Sequence, residues 1–277
     1  MQRLRKQVDQ IDLRMLRLLQ QRNKLAGDIG RIKRRHRAVI YVPERERALL
    51  VRLVRTNKGK FPPSALVAIY REILSASRAS QGQDRHPIGL LASSASVVLP
   101  AAKEVFGKSD RFVPMKSWND ISTLLKVGGF SIGLVTAADL LAALRRKDRW
   151  RDFSGHLTVS SAVPIATGTK VGTDAVLTIT PPGNQAGRKA NRFVILIECK
   201  STRNAIKTLF RDMPDLSLHD ESSTTRPTRA ALSLACLHTQ RPVDAARTGA
   251  RLRKAAEAAG VSLLILGSYL ASEDYGG

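Results

Sequence analysis

Apolar residues recur from Leu4 to Ile32 in alternating steps of four and three: Leu4, Val8, Ile11, Met15, Leu18, Leu25, Ile29 and Ile32. That period marks a helix whose stripe is covered by a partner helix. Arg22 takes the one position in the stripe where a further apolar residue belongs. A guanidinium does not escape burial by losing its proton, so it needs an anion or a wet cavity at that point. The acids of residues 1–83 are Asp9, Asp12, Asp28, Glu44, Glu46 and Glu72. With so few at hand, an anionic ligand held between helices is a candidate partner for Arg22.

Residues 2–37 contain no proline and read as one helix of roughly 50 Å at about 1.5 Å per residue. Pro43 fits the first turn of a second helix, which Asn57-Lys58-Gly59 ends. Pro62-Pro63-Ser64 opens a third, with Leu66, Ile69, Tyr70, Ile73 and Leu74 on one face. Two short helices do not suffice to bury the long one's stripe, so an intertwined homodimer is the economical fold for residues 1–83. Gln81 to His86 is polar and reads as a linker.

The chain of 277 residues carries a net charge of +23, and residues 1–83 hold 20 Lys/Arg against 6 Asp/Glu. Such a balance points to anionic partners without choosing between nucleic acid and a small polyanion. Cys199 and Cys236 form no CxxC pair and no metal-ligand cluster with the five histidines. No metal site is expected from them, and a reducing cytoplasm is the natural setting. The N-terminus does not read as a signal peptide, and no apolar run is long enough for a membrane span.

Within the helical segment, Arg22 and Lys33 lie about three turns apart and share a face. Arg5 is about 4.7 turns before Arg22, points elsewhere, and is placed to reach a partner's site. Arg45-Glu46 opens the second helix, and Ser77 and Gln81 are spaced i, i+4 in the third. Four cations, one carboxylate, one hydroxyl and one amide are thus able to converge between helices.

Taken in order, Leu4-Arg5, Ile11-Asp12, Leu18-Leu19-x-x-Arg22, Ile29-Gly30-x-x-Lys33, Pro43-Glu44-Arg45-Glu46 and Ser77-x-x-x-Gln81 resemble the all-helical class of chorismate mutase. The resemblance implies a helical dimer that turns chorismate into prephenate with no cofactor. Arg22 and the partner's Arg5 would bind the two substrate carboxylates, with Ser77 assisting. Lys33 and Gln81 would bind the ether oxygen, Glu46 the ring hydroxyl, and Arg45 would support the site. Family members often carry an acid where this chain has Val42.

After Pro87 the texture changes to short apolar runs alternating with helix-like stretches, the pattern of an α/β layer structure. Ile88–Leu91, Phe130–Val135, Val176–Ile179 and Phe193–Ile197 read as strands, with helix-like stretches at 97–106 and 118–127. From Phe193 the order (helix 202–211, strands near 215–220 and 230–237, helix 243–259, strand 263–266) is a ferredoxin-like βαββαβ rhythm. Residues 87–190 resemble a truncated prephenate dehydratase. Phe112-Val113-Pro114-Met115 looks like an early strand, and Asn191-Arg192-Phe193 stands where dehydratases carry Thr-Arg-Phe. Residues 191–277 resemble an ACT domain, with Arg203–Ile206, an interrupted Glu221-Ser222…Arg226-Pro227 and Leu266–Tyr269 in the places of its motifs. That likeness implies phenylalanine as the effector. The alternatives are a bifunctional mutase–dehydratase, and a basic helical dimer on nucleic acid, for which base-stacking aromatics are lacking.

Overall fold

The structure, a computed structural model, describes residues 1–36, 41–82, 87–145, 147–164, 175–182, 189–199, 213, 216–224 and 231–269. The expected helix 202–211, the Arg203–Ile206 and Arg226-Pro227 motifs and most of the linker lie outside these residues.

Three helices come first: α1 Gln2–Arg35, α2 Pro43–Thr56 and α3 Pro63–Ser80. Pro43 and Pro63 sit in first turns, where a missing N–H costs nothing. Lys33, Arg34 and Arg35 occupy the last turn of α1, where cations offset the helix dipole. Only the C-terminal half of α1 packs on the chain's own helices. Ala26 and Gly30 are its buried residues, while residues 1–21 are exposed throughout. Leu4, Val8, Ile11, Met15, Leu18, Leu25 and Ile32 are each more than half exposed. The chain's own α2 and α3 therefore leave most of the stripe uncovered.

Residues 88–180 build a five-stranded sheet in the order β2-β1-β3-β5-β4. The strands are β1 Ile88–Leu91, β2 Phe112–Met115, β3 Ile132–Thr136, β4 Thr158–Pro164 and β5 Ala175–Thr180. β1 pairs in parallel with β2 and β3, while β5 runs antiparallel to β3 and β4. Helix α4 Ala95–Phe106 follows β1 and shares a core with Ile88, Leu90, Ile132 and Leu134. Helices α5 Trp118–Lys126 and α6 Ala137–Leu144 share another core with Leu91 and Val135. The alternation of β1 and β3 thus sends successive side chains into two cores. Sequence reading alone does not mark β4 and α6.

A second, four-stranded sheet has the order β7-β8-β6-β9 and is antiparallel. It comprises β6 Lys189–Cys199, β7 Leu216–Thr224, β8 Ala231–Asp244 and β9 Ser262–Tyr269, with helix α7 Ala245–Ala258 between the last two strands. That strand order is the one a ferredoxin-like unit requires. β6 divides its side chains by the same period of two. Phe193, Ile195 and Ile197 join Leu252 and Ala256 of α7, whereas Val194 and Leu196 join Leu177 and Ile179 of the first sheet. The two sheets meet closely where β9 crosses β4. A Cβ on Gly267 would lie 2.1 Å from the carbonyl oxygen of Val159. Gly267→Ala should therefore destabilise the fold by about 1–3 kcal/mol through overpacking, read as a lower midpoint in chemical denaturation.

Candidate active site

α1, α2 and α3 enclose a cavity of about 560 Å³. Arg22 and Lys33 reach it from α1, Arg45 and Glu46 from the first turn of α2, and Ser77 and Gln81 from the end of α3. Six of the seven residues singled out from sequence are thus brought together. The seventh, Arg5, lies on the exposed first turns of α1 and does not line the cavity of its own chain. Along the helix axis it is about 25 Å from Arg22. Val42 also lines the cavity, half-buried.

Arg22 bridges to α3. Its Nη1 donates to the Ser77 hydroxyl and, at 3.4 Å, to the Ile73 carbonyl. Ser77 Oγ donates in turn to the Ile73 carbonyl at 2.6 Å. Burial lowers the pKa of Arg22, and Arg45 adds to this, while Tyr70 and Glu46 oppose it. Burial also lowers the pKa of Lys33, again reinforced by Arg45 and opposed by Glu46. Gln81 ends α3; its backbone N–H donates to the Ser77 carbonyl at 3.1 Å, and its side-chain Nε2 donates to the same oxygen at 3.2 Å. The Gln81 Oε1 is buried with no hydrogen-bond partner among the described residues.

Two lining cations were not singled out from sequence, Arg52 and Arg78. Arg52 follows Arg45 by two helical turns, and that i, i+7 spacing was the available signal. Arg78 had none, because its partners are distant in sequence. Its Nη1 donates to both Glu46 oxygens, at 2.7 and 2.6 Å. Its Nη2 donates to Asp110 Oδ2 at 2.8 Å and to the Phe106 carbonyl. Burial works against the Arg78 charge, yet Glu46 and Asp110 outweigh it and raise the pKa. Among the described residues the wall therefore presents five cations (Arg22, Lys33, Arg45, Arg52 and Arg78) and one carboxylate, that of Glu46. Such a cavity suits a small polyanion that carries a hydroxyl.

Residues 4–82 match the family model of chorismate mutase type II. The helical part of this chain is a chorismate mutase type II domain. The bifunctional chorismate mutase/prephenate dehydratase of Aquifex aeolicus is 39% identical over 136 residues, 48% of this chain and 37% of the relative. That match is longer than the helical domain and so extends into the α/β region. The protein of the same name from Neisseria gonorrhoeae is 39% identical over 71 residues, 26% of this chain and 19% of the relative. The T-protein of Enterobacter agglomerans is 34% identical over 79 residues, 28% of this chain and 21% of the relative. The chain thus spans little more than a third, at most, of the length of these curated relatives. Among solved structures, a prephenate dehydratase from Streptococcus mutans aligns over 67% of this chain and 98% of its own, at a TM-score of 0.43 and 11% identity. That likeness is too distant to carry any residue across.

The mutase domain's cavity depends on Gly30. A Cβ there would lie 2.7 Å from Gln81 Cα and 2.8 Å from its carbonyl oxygen. Alanine gains about 1 kcal/mol of helix propensity over glycine, but an overlap with backbone costs about 1–3 kcal/mol. Gly30→Ala is accordingly expected to lower the denaturation midpoint and to push Gln81 off the cavity wall, the latter visible in a crystal structure of the variant.

Proposed function

We propose that this chain converts chorismate to prephenate in aromatic amino-acid biosynthesis, working as a homodimer in the cytoplasm. The observation that carries the reading is the convergence of Arg22, Lys33, Arg45, Glu46, Ser77 and Gln81 on one cavity within the domain matched to the mutase family. The reaction is a unimolecular rearrangement and calls for no nucleophile. The protein has to hold a flexible dianion in a compact geometry, which is an orientation task. Arg22, already fixed against Ser77, takes one carboxylate through its planar fork. Negative charge grows on the ether oxygen as the C–O bond breaks. Lys33 and the Gln81 N–H left over from Ser77 stabilise that oxygen more in the transition state than in the ground state. Glu46 accepts from the ring hydroxyl, and Arg45 supports the site.

The second carboxylate falls to Arg5 of the partner subunit. Leu25 borders the cavity and is itself 62% exposed on the uncovered stripe, so a copy seated on the stripe closes the cavity mouth as well. We assign residues 1–83 to the mutase domain, 87–190 to a dehydratase-like region and 191–277 to an ACT-like domain with phenylalanine as its effector. A second reading, favoured by the name of the A. aeolicus relative and the reach of its match, adds the conversion of prephenate to phenylpyruvate with loss of water and carbon dioxide. Against it, Asn191 replaces the threonine of the dehydratases, at a register shift in β6.

Chorismate turnover by the purified chain, followed by prephenate formation with and without phenylalanine, tests the reading, and feeding prephenate tests the second one. Arg22→Ala and Lys33→Ala are each expected to lower kcat/KM by about 100-fold or more. Activity should return when Arg5→Ala and Lys33→Ala subunits are mixed and allowed to exchange. Each mixed dimer then holds one site with both residues intact. Mixtures no more active than their parents would sink the shared-site assignment.

Burial leaves Lys33 with a lowered pKa. The free site loses its ammonium at lower pH than an ordinary lysine would. The kcat/KM profile, which reports the free enzyme, should fall on the alkaline side below the usual lysine range. A bound dianion favours the charged form, so the limb of kcat should lie at higher pH. Lys33→Arg should remove the limb.

A further inference from the structure

We propose that Asp110, acting through Arg78, is a positioning residue for Glu46, so that the α/β region completes the mutase site. The inference rests on the reading of the helical cavity as that site. Asp110 lies between α4 and β2, outside the matched domain. Its side chain is 0% exposed, that of Arg78 3%, and that of Glu46 22%. Glu46 and Arg78 both line the cavity, and Glu46 is the more exposed of the two.

The guanidinium has no freedom to turn. Nη1 meets both oxygens of Glu46 at 2.7 and 2.6 Å, Nη2 meets Asp110 Oδ2 at 2.8 Å, and Nε faces Asp110 Oδ1 at 3.5 Å. Nη2 also donates to the carbonyl of Phe106, the last residue of α4. The guanidinium lies 5.7 Å from the Tyr41 ring centroid and 5.9 Å from that of Phe106. Asp110 is fixed in turn by the Ser75 hydroxyl, which donates to its Oδ2 at 2.9 Å. A planar fork held on one edge by a buried carboxylate presents its other edge at a set place and angle. Glu46 is thereby anchored by a group whose own position is decided in the α/β region. Without Asp110, the buried Arg78 has one carboxylate where it had two, and the Glu46 anchor is free to shift.

Asp110 does not line the cavity, so its effect on turnover passes through Arg78, and on this proposal from Arg78 to the Glu46 it holds. The test is a double-mutant cycle in the full chain with Asp110→Asn and Glu46→Gln, reading kcat and KM for chorismate and the folded fraction by circular dichroism. Asp110→Asn is expected to lower kcat about 10-fold or more, since displacement of a substrate-contacting group by about 1 Å costs on that scale. KM should not rise, because the variant removes a negative charge from the neighbourhood of a dianion. In the Glu46→Gln background the same change should cost less than about twofold, since effects passing through one group do not multiply. Ser75→Ala, a smaller change that loosens Asp110, runs through the same cycle and decides the matter where Asp110→Asn does not fold. Losses that multiply across the cycle in an active, folded protein overturn the positioning role and leave the mutase reading intact. A folded wild-type chain without chorismate turnover overturns both.

Discussion

A permanent cation sealed between two carboxylates holds the helical and α/β parts of this chain together. Arg78 is almost fully buried, Asp110 wholly so, and they are 32 residues apart in sequence. A buried pair of this kind adds little net stability over a well-packed apolar pair, but removing one partner costs about 3–5 kcal/mol because the other charge is stranded. The surroundings are shaped to keep it complete. Tyr41 meets Phe106 edge-on at 5.4 Å. Gly107, at φ +88°, ends α4 in the left-handed region, and a Cβ there would lie 2.6 Å from that of Ser75. A residue with a side chain would be strained in its backbone and would press on the serine that holds Asp110. The turn that lets Phe106 offer its carbonyl to Arg78 is thus also the turn that lets α3 come close.

The α1 stripe raises the opposite problem, apolar surface with nothing on it. A run of more-than-half-exposed leucines, valines and isoleucines along a 34-residue helix is far more than scattered surface apolarity. The short α2 and α3 meet only its C-terminal half. The cavity sits at that boundary between covered and uncovered helix, where Arg22 crosses from the stripe to Ser77. Arg22 interrupts the apolar repeat at the place where the chain's own packing gives way to whatever covers the rest. The interruption is therefore a boundary marker as well as the binding group proposed for a substrate carboxylate.

Much of this was readable from local patterns. The three helices follow from proline placement and 3.6-residue periodicity, and the six cavity residues follow from their places on those helices taken together with the mutase resemblance. The second sheet follows from an order of apolar runs that fits the observed strand order, although the helix expected over 202–211 lies outside the described residues. What escaped has a common cause. α6, Ala137–Leu144, is almost uniformly apolar and so has no polar face to mark its period. β4 carries two adjacent serines between its valines, which break the alternation where its register shifts between Val159 and Ser161. Arg78 follows Ser77 directly and reads as a solvated neighbour. Only the tertiary approach of α3 to the α4–β2 loop turns it into a buried ion pair. Sequence spacing reports faces of single elements; it carries no trace of a charge paired across two regions.

That hidden pairing changes what Glu46 means. Five cations around one small cavity would bind any dianion well, and would bind substrate, transition state and product nearly alike. Uniform attraction of that sort deepens the ground state without lowering the barrier between states. A carboxylate among the cations reduces the indiscriminate part of the attraction and replaces it with a directed hydrogen bond. A carboxylate free to swing would instead fold onto Lys33 or Arg22, both close enough to feel its charge, and would neutralise the groups meant for substrate. Arg78 prevents this by occupying both Glu46 oxygens from the side away from solvent. The discrimination the cavity needs therefore comes from holding its one anion still among the cations, and the hold is made in the other half of the molecule.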